Sequence, residues 1–133
     1  MKIQATCIAF DNRAYLIKGD SGTGKSSLAL ALINRGAKLI ADDMVEVVNQ
    51  VAKAPTQKKG WLEVRGIGLV SGNPLCLKAP VRAIIELVQQ KPERLPQRQT
   101  DSLPVFQIWT EDKNQAEKIV LIDKIITGMV KLE

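Results

Sequence analysis

Residues 19–26 read Gly-Asp-Ser-Gly-Thr-Gly-Lys-Ser, a lysine and several hydroxyls set among glycines. The spacing satisfies G-x-x-x-x-G-K-[ST] at every fixed position. Its chemistry is the holding of a polyphosphate. Gly19, Gly22 and Gly24 let backbone N–H groups converge on phosphate oxygens. The Lys25 ammonium can reach the β- and γ-phosphates of a nucleotide, and the Ser26 hydroxyl offers an oxygen to a bridging Mg²⁺. Asp20, Ser21, Thr23 and Ser27 are the polar neighbours expected to complete the cradle.

Carboxylates follow at useful distances along the chain. Asp42 and Asp43 close an apolar run, at the edge where parallel sheets place ligands. One of the pair can serve the metal, and the other can accept a proton from an attacking hydroxyl. A solvated acidic turn or a helix cap is the alternative for the isolated pair. Glu63 and Arg65 lie in Leu62-Glu63-Val64-Arg65-Gly66-Ile67-Gly68, where alternation puts both on one strand face, opposite Leu62 and Val64. That couple suits metal and phosphate contacts, or an ion pair on a wet face.

The elements that must position these groups are readable. Ile3–Phe10 is β-prone, Asp11-Asn12 signals a turn, and Ala14–Lys18 is expected to pair back as a hairpin arm. A helix is predicted from about Lys25 to Arg35, closed by Gly36. Lys38–Ala41, Val45–Val51, Trp61–Arg65, Val81–Val88 and Val105–Trp109 are expected in extended form. Residues 91–104 carry three prolines and are expected to form a long exposed connection. A helix over Asn114–Lys131 shows apolar positions Ala116, Ile119, Ile122 and Ile126 at helical spacing. Leu121 and Ile125 widen that stripe, an expectation of burial against another subunit.

At 133 residues the chain has the size of one domain, and residues 1–133 are expected to form one. Hydrophobic residues make up 45%, enough for a packed interior, while aromatics are only 4%, so Ile, Leu, Val and Ala must fill it. The net charge of +5 is spread out rather than gathered in a basic, aromatic-interleaved stripe, which argues against nucleic acid. The absence of histidine excludes histidine catalysis and zinc–histidine sites. Cys7 and Cys76 lack metal-ligand spacing. No run is long enough for a membrane span or a signal peptide, so a cytoplasmic location is expected.

Three segments in order reach a family. They are the loop at 19–26, then Arg35-Gly36-Ala37-Lys38-Leu39-Ile40-Ala41-Asp42-Asp43, then Leu62-Glu63-Val64-Arg65-Gly66-Ile67-Gly68. Together they resemble the catalytic domain of HPr kinase/phosphorylase, in a short form without an N-terminal domain. The resemblance implies an α/β fold with the phosphate loop in a mixed sheet, similar to the HPr kinase/phosphoenolpyruvate carboxykinase fold. It implies a kinase using ATP or pyrophosphate, with Mg²⁺, toward a serine of HPr, a phosphocarrier of the bacterial sugar phosphotransferase system. Phosphate drives the reverse direction. By the same resemblance Lys25 and the loop bind phosphates, Ser26, Asp42 and Glu63 serve the metal, and Asp43 or Asp42 acts as base. Arg65 belongs to the signature around the site, and the assembly is a hexamer.

The chain departs from that pattern. Gln4 stands where the family usually has a histidine, and a carboxamide cannot relay a proton. Ser27 stands where an acidic residue usually follows Lys-Ser. A C-terminal region with further basic residues is expected to be missing. These departures motivate a second reading, a nucleotide-binding regulator with weakened catalysis. A third is a small-molecule kinase using the same loop.

Overall fold

The computed structural model describes residues 1–92, 97–100 and 103–133. Strands β1 (Lys2–Gln4), β2 (Thr6–Phe10) and β3 (Arg13–Lys18) come first, with the glycine loop leading from β3 into α1 (Lys25–Ile33). Then come β4 (Lys38–Ala41), β5 (Met44–Val48), β6 (Val51–Lys53), β7 (Leu62–Val64) and β8 (Gly68–Val70). The long β9 (Lys78–Val88), β10 (Gln97–Thr100), β11 (Leu103–Trp109) and α2 (Gln115–Ile126) complete the chain.

Among the described residues, one mixed sheet runs β1-β5-β6-β9-β3-β2-β4, with β11 also on β9 and β10 on β11. β7 and β8 form a separate antiparallel ribbon. β9 is parallel to both β3 and β11, whereas β2 is antiparallel to both β3 and β4. Two reversals restore direction, so β4 points the same way as β3 and β9. The carboxyl ends of β3, β4 and β9 therefore share one sheet edge, and the amino end of β2 lies there too. The expected parallel-sheet placement of Asp42 is corrected in one respect: its own neighbour, β2, is antiparallel.

Strand alternation divides the interior in two. Tyr15 and Ile17 face the helices, where Ile85 and Phe106 meet Leu28 and Leu32 of α1 and Ile119 and Ile122 of α2. Cys7, Leu16 and Ile40 face the other way, where Val45 and Ala52 cover them, so the antiparallel β5–β6 arm curls over that face. The apolar stripe of α2 is buried within this chain through Ala116, Ile119 and Ile122, while Leu121, which widens it, stays exposed.

Several boundaries differ from expectation for local reasons. The single strand expected at Val45–Val51 is two, β5 and β6, because Asn49 and Gln50 both take positive φ (52° and 61°) in a two-residue hairpin turn. α1 stops at Ile33, and Gly36 at φ 101° closes it, with Ala37 N–H donating to Leu32 O and Gly36 N–H to Ile33 O. α2 stops at Ile126, followed by Gly128 at φ 80°, so Met129 and Val130 lie beyond it and exposed. The connection expected over 91–104 holds β10 and the start of β11; residues 93–96 and 101–102 lie outside the described residues.

One polar cluster ties α2 to the sheet. Arg13 donates to Asp123 through Nε (2.7 Å) and Nη2 (3.0 Å), and the Tyr15 hydroxyl donates to the same carboxylate (2.5 Å). Burial, and then the bond to Asp123, push the Tyr15 phenol above its ordinary value. A folded pKa above the unfolded one means this contribution is intact below about pH 10 and is lost as pH rises further. Asp123→Ala leaves a largely buried guanidinium without its forked partner. It should lower the urea-unfolding free energy by about 3 kcal/mol. Tyr15 is the sole tyrosine, so tyrosinate absorbance in the variant should show its ionisation moved downward. An unchanged urea midpoint would show that the cluster carries no weight.

Candidate active site

The glycine loop is held by its own polar groups. Thr23 donates to Asp20 O through its amide (3.2 Å) and its hydroxyl (2.7 Å), which closes a tight turn. Gly22 and Gly24 take φ of 83° and 93°, a region that only glycine enters without strain. Gly19 is required for a different reason. A Cβ there would lie 2.7 Å from Thr23 Oγ1 and 3.1 Å from Leu87 Cβ, so the loop is laid directly on the end of β9. Gly24 ends the loop as the N-cap of α1, without a side-chain cap, and the first turn carries no acidic residue. The leading amides of the helix are thus available to an anion, aided by the helix dipole.

Lys25 Nζ donates to Gly19 O (2.7 Å) and Asp20 O (3.1 Å), folding back over the loop. Ser26 Oγ donates to Asp42 Oδ1 (2.8 Å). The same oxygen accepts from Thr6 Oγ1 (3.0 Å), and Asp42 Oδ2 accepts from the Glu63 amide (3.1 Å). The phosphate loop, the end of β4, the start of β2 and the β7–β8 ribbon therefore meet at one carboxylate. Asp43 is exposed beside it at φ 74°, its carbonyl accepting from the Ala5 amide (3.0 Å).

These groups line a cleft of about 650 Å³. Of the residues singled out from the sequence, Ser21, Gly22, Gly24, Lys25, Ser26, Ser27, Asp42, Asp43, Glu63 and Arg65 all border it, as does Gln4. Gly19 and Asp20 border a neighbouring cleft instead. Thr23 serves the loop turn. The ribbon is seated by Leu62 and Val64, which pack into the helix-side core, and this directs exposed Glu63 toward the cleft. Arg65 is not on the strand as expected. β7 ends at Val64, and Arg65 sits in the turn that Ile67 N–H closes onto Val64 O (3.0 Å).

Thr6 escaped the sequence reading. It is fully buried, and the register Cys7↔Ala41 puts it next to Asp42. Pairing β2 with β4 on paper would have found it. The donor set is all hard oxygen: Ser26 hydroxyl and Asp42 carboxylate in contact, with Glu63 beside them. Among the described residues no cluster of three or more His, Cys, Asp or Glu forms a metal cage. That composition fits Mg²⁺ held by one or two protein ligands together with substrate phosphates.

A family model described as HPr Serine kinase C-terminal domain matches residues 2–105. The chain belongs to this family. The HPr kinase/phosphorylase of Lactiplantibacillus plantarum is 42% identical over 95 residues, 66% of this chain and 30% of that protein. That of Enterococcus faecalis is 43% identical over 77 residues, 54% of this chain and 25% of that protein. The chain thus matches less than a third of the length of these relatives. A structure of the Hpr(Ser) kinase/phosphatase from Coxiella burnetii superposes with a TM-score of 0.75 at 24% identity, covering 97% of this chain and 98% of that one. That likeness establishes the expected mixed α/β fold. The family match spans the loop, the Asp42-Asp43 pair and the ribbon, and stops within β11.

Thr6→Val keeps side-chain shape but removes the buried hydroxyl that serves Asp42. It should cost about 1 kcal/mol in urea unfolding. A stability equal to wild type would mean the Thr6 bond does not contribute.

Proposed function

We propose that residues 1–133 act as one Mg²⁺-dependent catalytic domain that phosphorylates a serine of an HPr-like phosphocarrier, with ATP or pyrophosphate as donor. In reverse, phosphate would take the group back. The observation that carries this reading is the convergence on Asp42 of Ser26 from the phosphate loop and Glu63 from the ribbon. The family membership supports an HPr-like acceptor. The loop amides and Lys25 would hold the donor's phosphates, with Lys25 exchanging carbonyl partners for phosphate oxygens in stronger, charge-assisted bonds. Ser26 and Asp42, with Glu63 near, would hold Mg²⁺, which supplies charge neutralisation between donor phosphates. Arg65 would add a second cation at the cleft.

The base is assigned to Asp43 rather than Asp42. Asp42 already accepts from Thr6, Ser26 and the Glu63 amide, and its remaining acceptor capacity would go to the metal, which leaves Asp43 for the serine proton. Asp43 is exposed on the cleft wall and can meet a serine hydroxyl. Protein acceptors must reach it, which suits an open cleft. The reading also carries a cytoplasmic location and a homo-oligomer, a hexamer by resemblance to the family. No helix among the described residues is long and apolar enough to cross a membrane.

One observation favours the regulator reading. Gln4 borders the cleft where the family usually offers histidine, so proton relay from that wall is lost. A phosphotransfer assay separates the two. HPr incubated with Mg²⁺ and ATP, or with Mg²⁺ and pyrophosphate, should gain phosphoserine by mass spectrometry. Lys25→Ala should reduce the rate by about 10²-fold or more, and Asp43→Asn by about 10²–10⁴-fold. Nucleotide binding without any phosphoserine would overturn the kinase reading in favour of the regulator.

A further inference from the structure

A pocket of about 350 Å³ opens between α2 and the end of β11. Among the described residues it shares no wall with the clefts beside the glycine loop. Its floor comes from the packing of α2 on the sheet, where Ile108 and Ile122 are buried in the helix-side core. Leu121 and Ile125 lie four residues apart, so they share one side of the helix and form an apolar wall. Leu121 is 46% exposed, which leaves that wall open to solvent. Trp109 adds an aromatic wall whose position is fixed twice: its Nε1 donates to Gln89 O (3.2 Å), and its carbonyl accepts from Gln115 Nε2 (2.9 Å). The pocket is therefore formed before any ligand arrives, and its volume lies within the range of small-molecule sites.

Charge gathers at the rim. The Lys118 ammonium donates to the Asp112 carboxylate, which also accepts from the Asn114 amide (2.7 Å). The Lys118 bond first, and then the Asn114 amide, hold the Asp112 carboxyl below its ordinary value, so it is ionised at neutral pH. Lys91 is near enough to act on the same carboxylate, and its ammonium lies 5.6 Å from the centre of the Trp109 ring. Among the described residues no carboxylate contacts that ammonium directly. The rim thus holds two cations against one anion, and one positive charge is left over beside an apolar cavity.

We propose that this pocket binds a small amphiphilic monocarboxylate, with its aliphatic or aryl body against Trp109, Leu121 and Ile125 and its carboxylate at Lys91 and Lys118. A single negative head matches the single excess charge. A phosphate dianion would exceed it and would face the Asp112 carboxylate at close range. The apolar body is favoured because it covers Leu121 and the Trp109 ring, both otherwise in contact with water. The site is separate from the phosphotransfer reading and stands or falls without it.

The test is NMR of the labelled full chain, titrated with octanoate, with phenylpropionate and with the amide of each. The chain has two tryptophans, and Trp61, outside the pocket, is the internal control. One or both carboxylates should move the Trp109 indole N–H along a saturating curve while the Trp61 signal stays still. Octanoate alone would assign an aliphatic ligand, and phenylpropionate alone an aryl one. The matching amide should bind about tenfold more weakly, for want of the charge-assisted bond. Leu121→Glu, which sets a negative charge in the wall, should weaken the carboxylate about tenfold or more. Lys91 is exposed and outside both helices, so Lys91→Gln tests the rim without disturbing the fold, and about a fivefold loss is expected. The proposal is overturned if neither carboxylate moves Trp109 at millimolar concentration, if both indoles move alike, if the amide binds as tightly as its acid, or if affinity is unchanged in both variants.

Discussion

A single half-buried carboxylate has to be satisfied for this site to exist. Asp42 stands at the end of β4, half-buried, and its oxygens take donors from the protein. They find them in the Thr6 and Ser26 hydroxyls and the Glu63 amide. Each donor belongs to a different piece of chain: the first residue of β2, the first turn of α1 and the middle of β7. The constraint works in both directions. It orients the carboxylate, and it holds the helix start and the ribbon at a fixed distance, with the cleft between them.

The strand directions explain why such distant residues can meet. β3, β4 and β9 all end at one edge of the sheet, and that edge receives the glycine loop, the Asp42-Asp43 pair and the Gln89-Gln90 segment. The intervening β2 runs the other way, so it contributes its beginning, Thr6, with Gln4 just before it. Gln4 thereby becomes the shared wall of two clefts. A neutral carboxamide there can hydrogen-bond in both directions but cannot move a proton.

Much of this was legible in the residues themselves. The glycine loop, its helix and the hairpin before it follow from local rules of spacing and propensity, and the structure keeps all three. Asp42 and Glu63 could be named as candidates, but not their contact, because it depends on β2 lying between β3 and β4 and on the ribbon folding over α1. Thr6 was hidden for the same reason, being one polar residue in an apolar strand. The Asn49-Gln50 turn was missed because it lacks the glycine that usually marks such a hairpin. The neighbouring cleft joins Gly19 and Asp20 of the loop motif to Glu86, Gln89 and Gln90, ordinary polar residues at a parallel strand end that only the fold brings there.

Amide-resolved NMR of the labelled chain, titrated with Mg²⁺ and pyrophosphate, addresses the central claim most directly. If an anion settles on the loop and is sensed at Asp42, the amides of Gly22–Ser26 and of Glu63 and Thr6 should shift together, along one saturating curve. Shifts confined to other surfaces, or loop amides that move while Glu63 and Thr6 stay still, would contradict it.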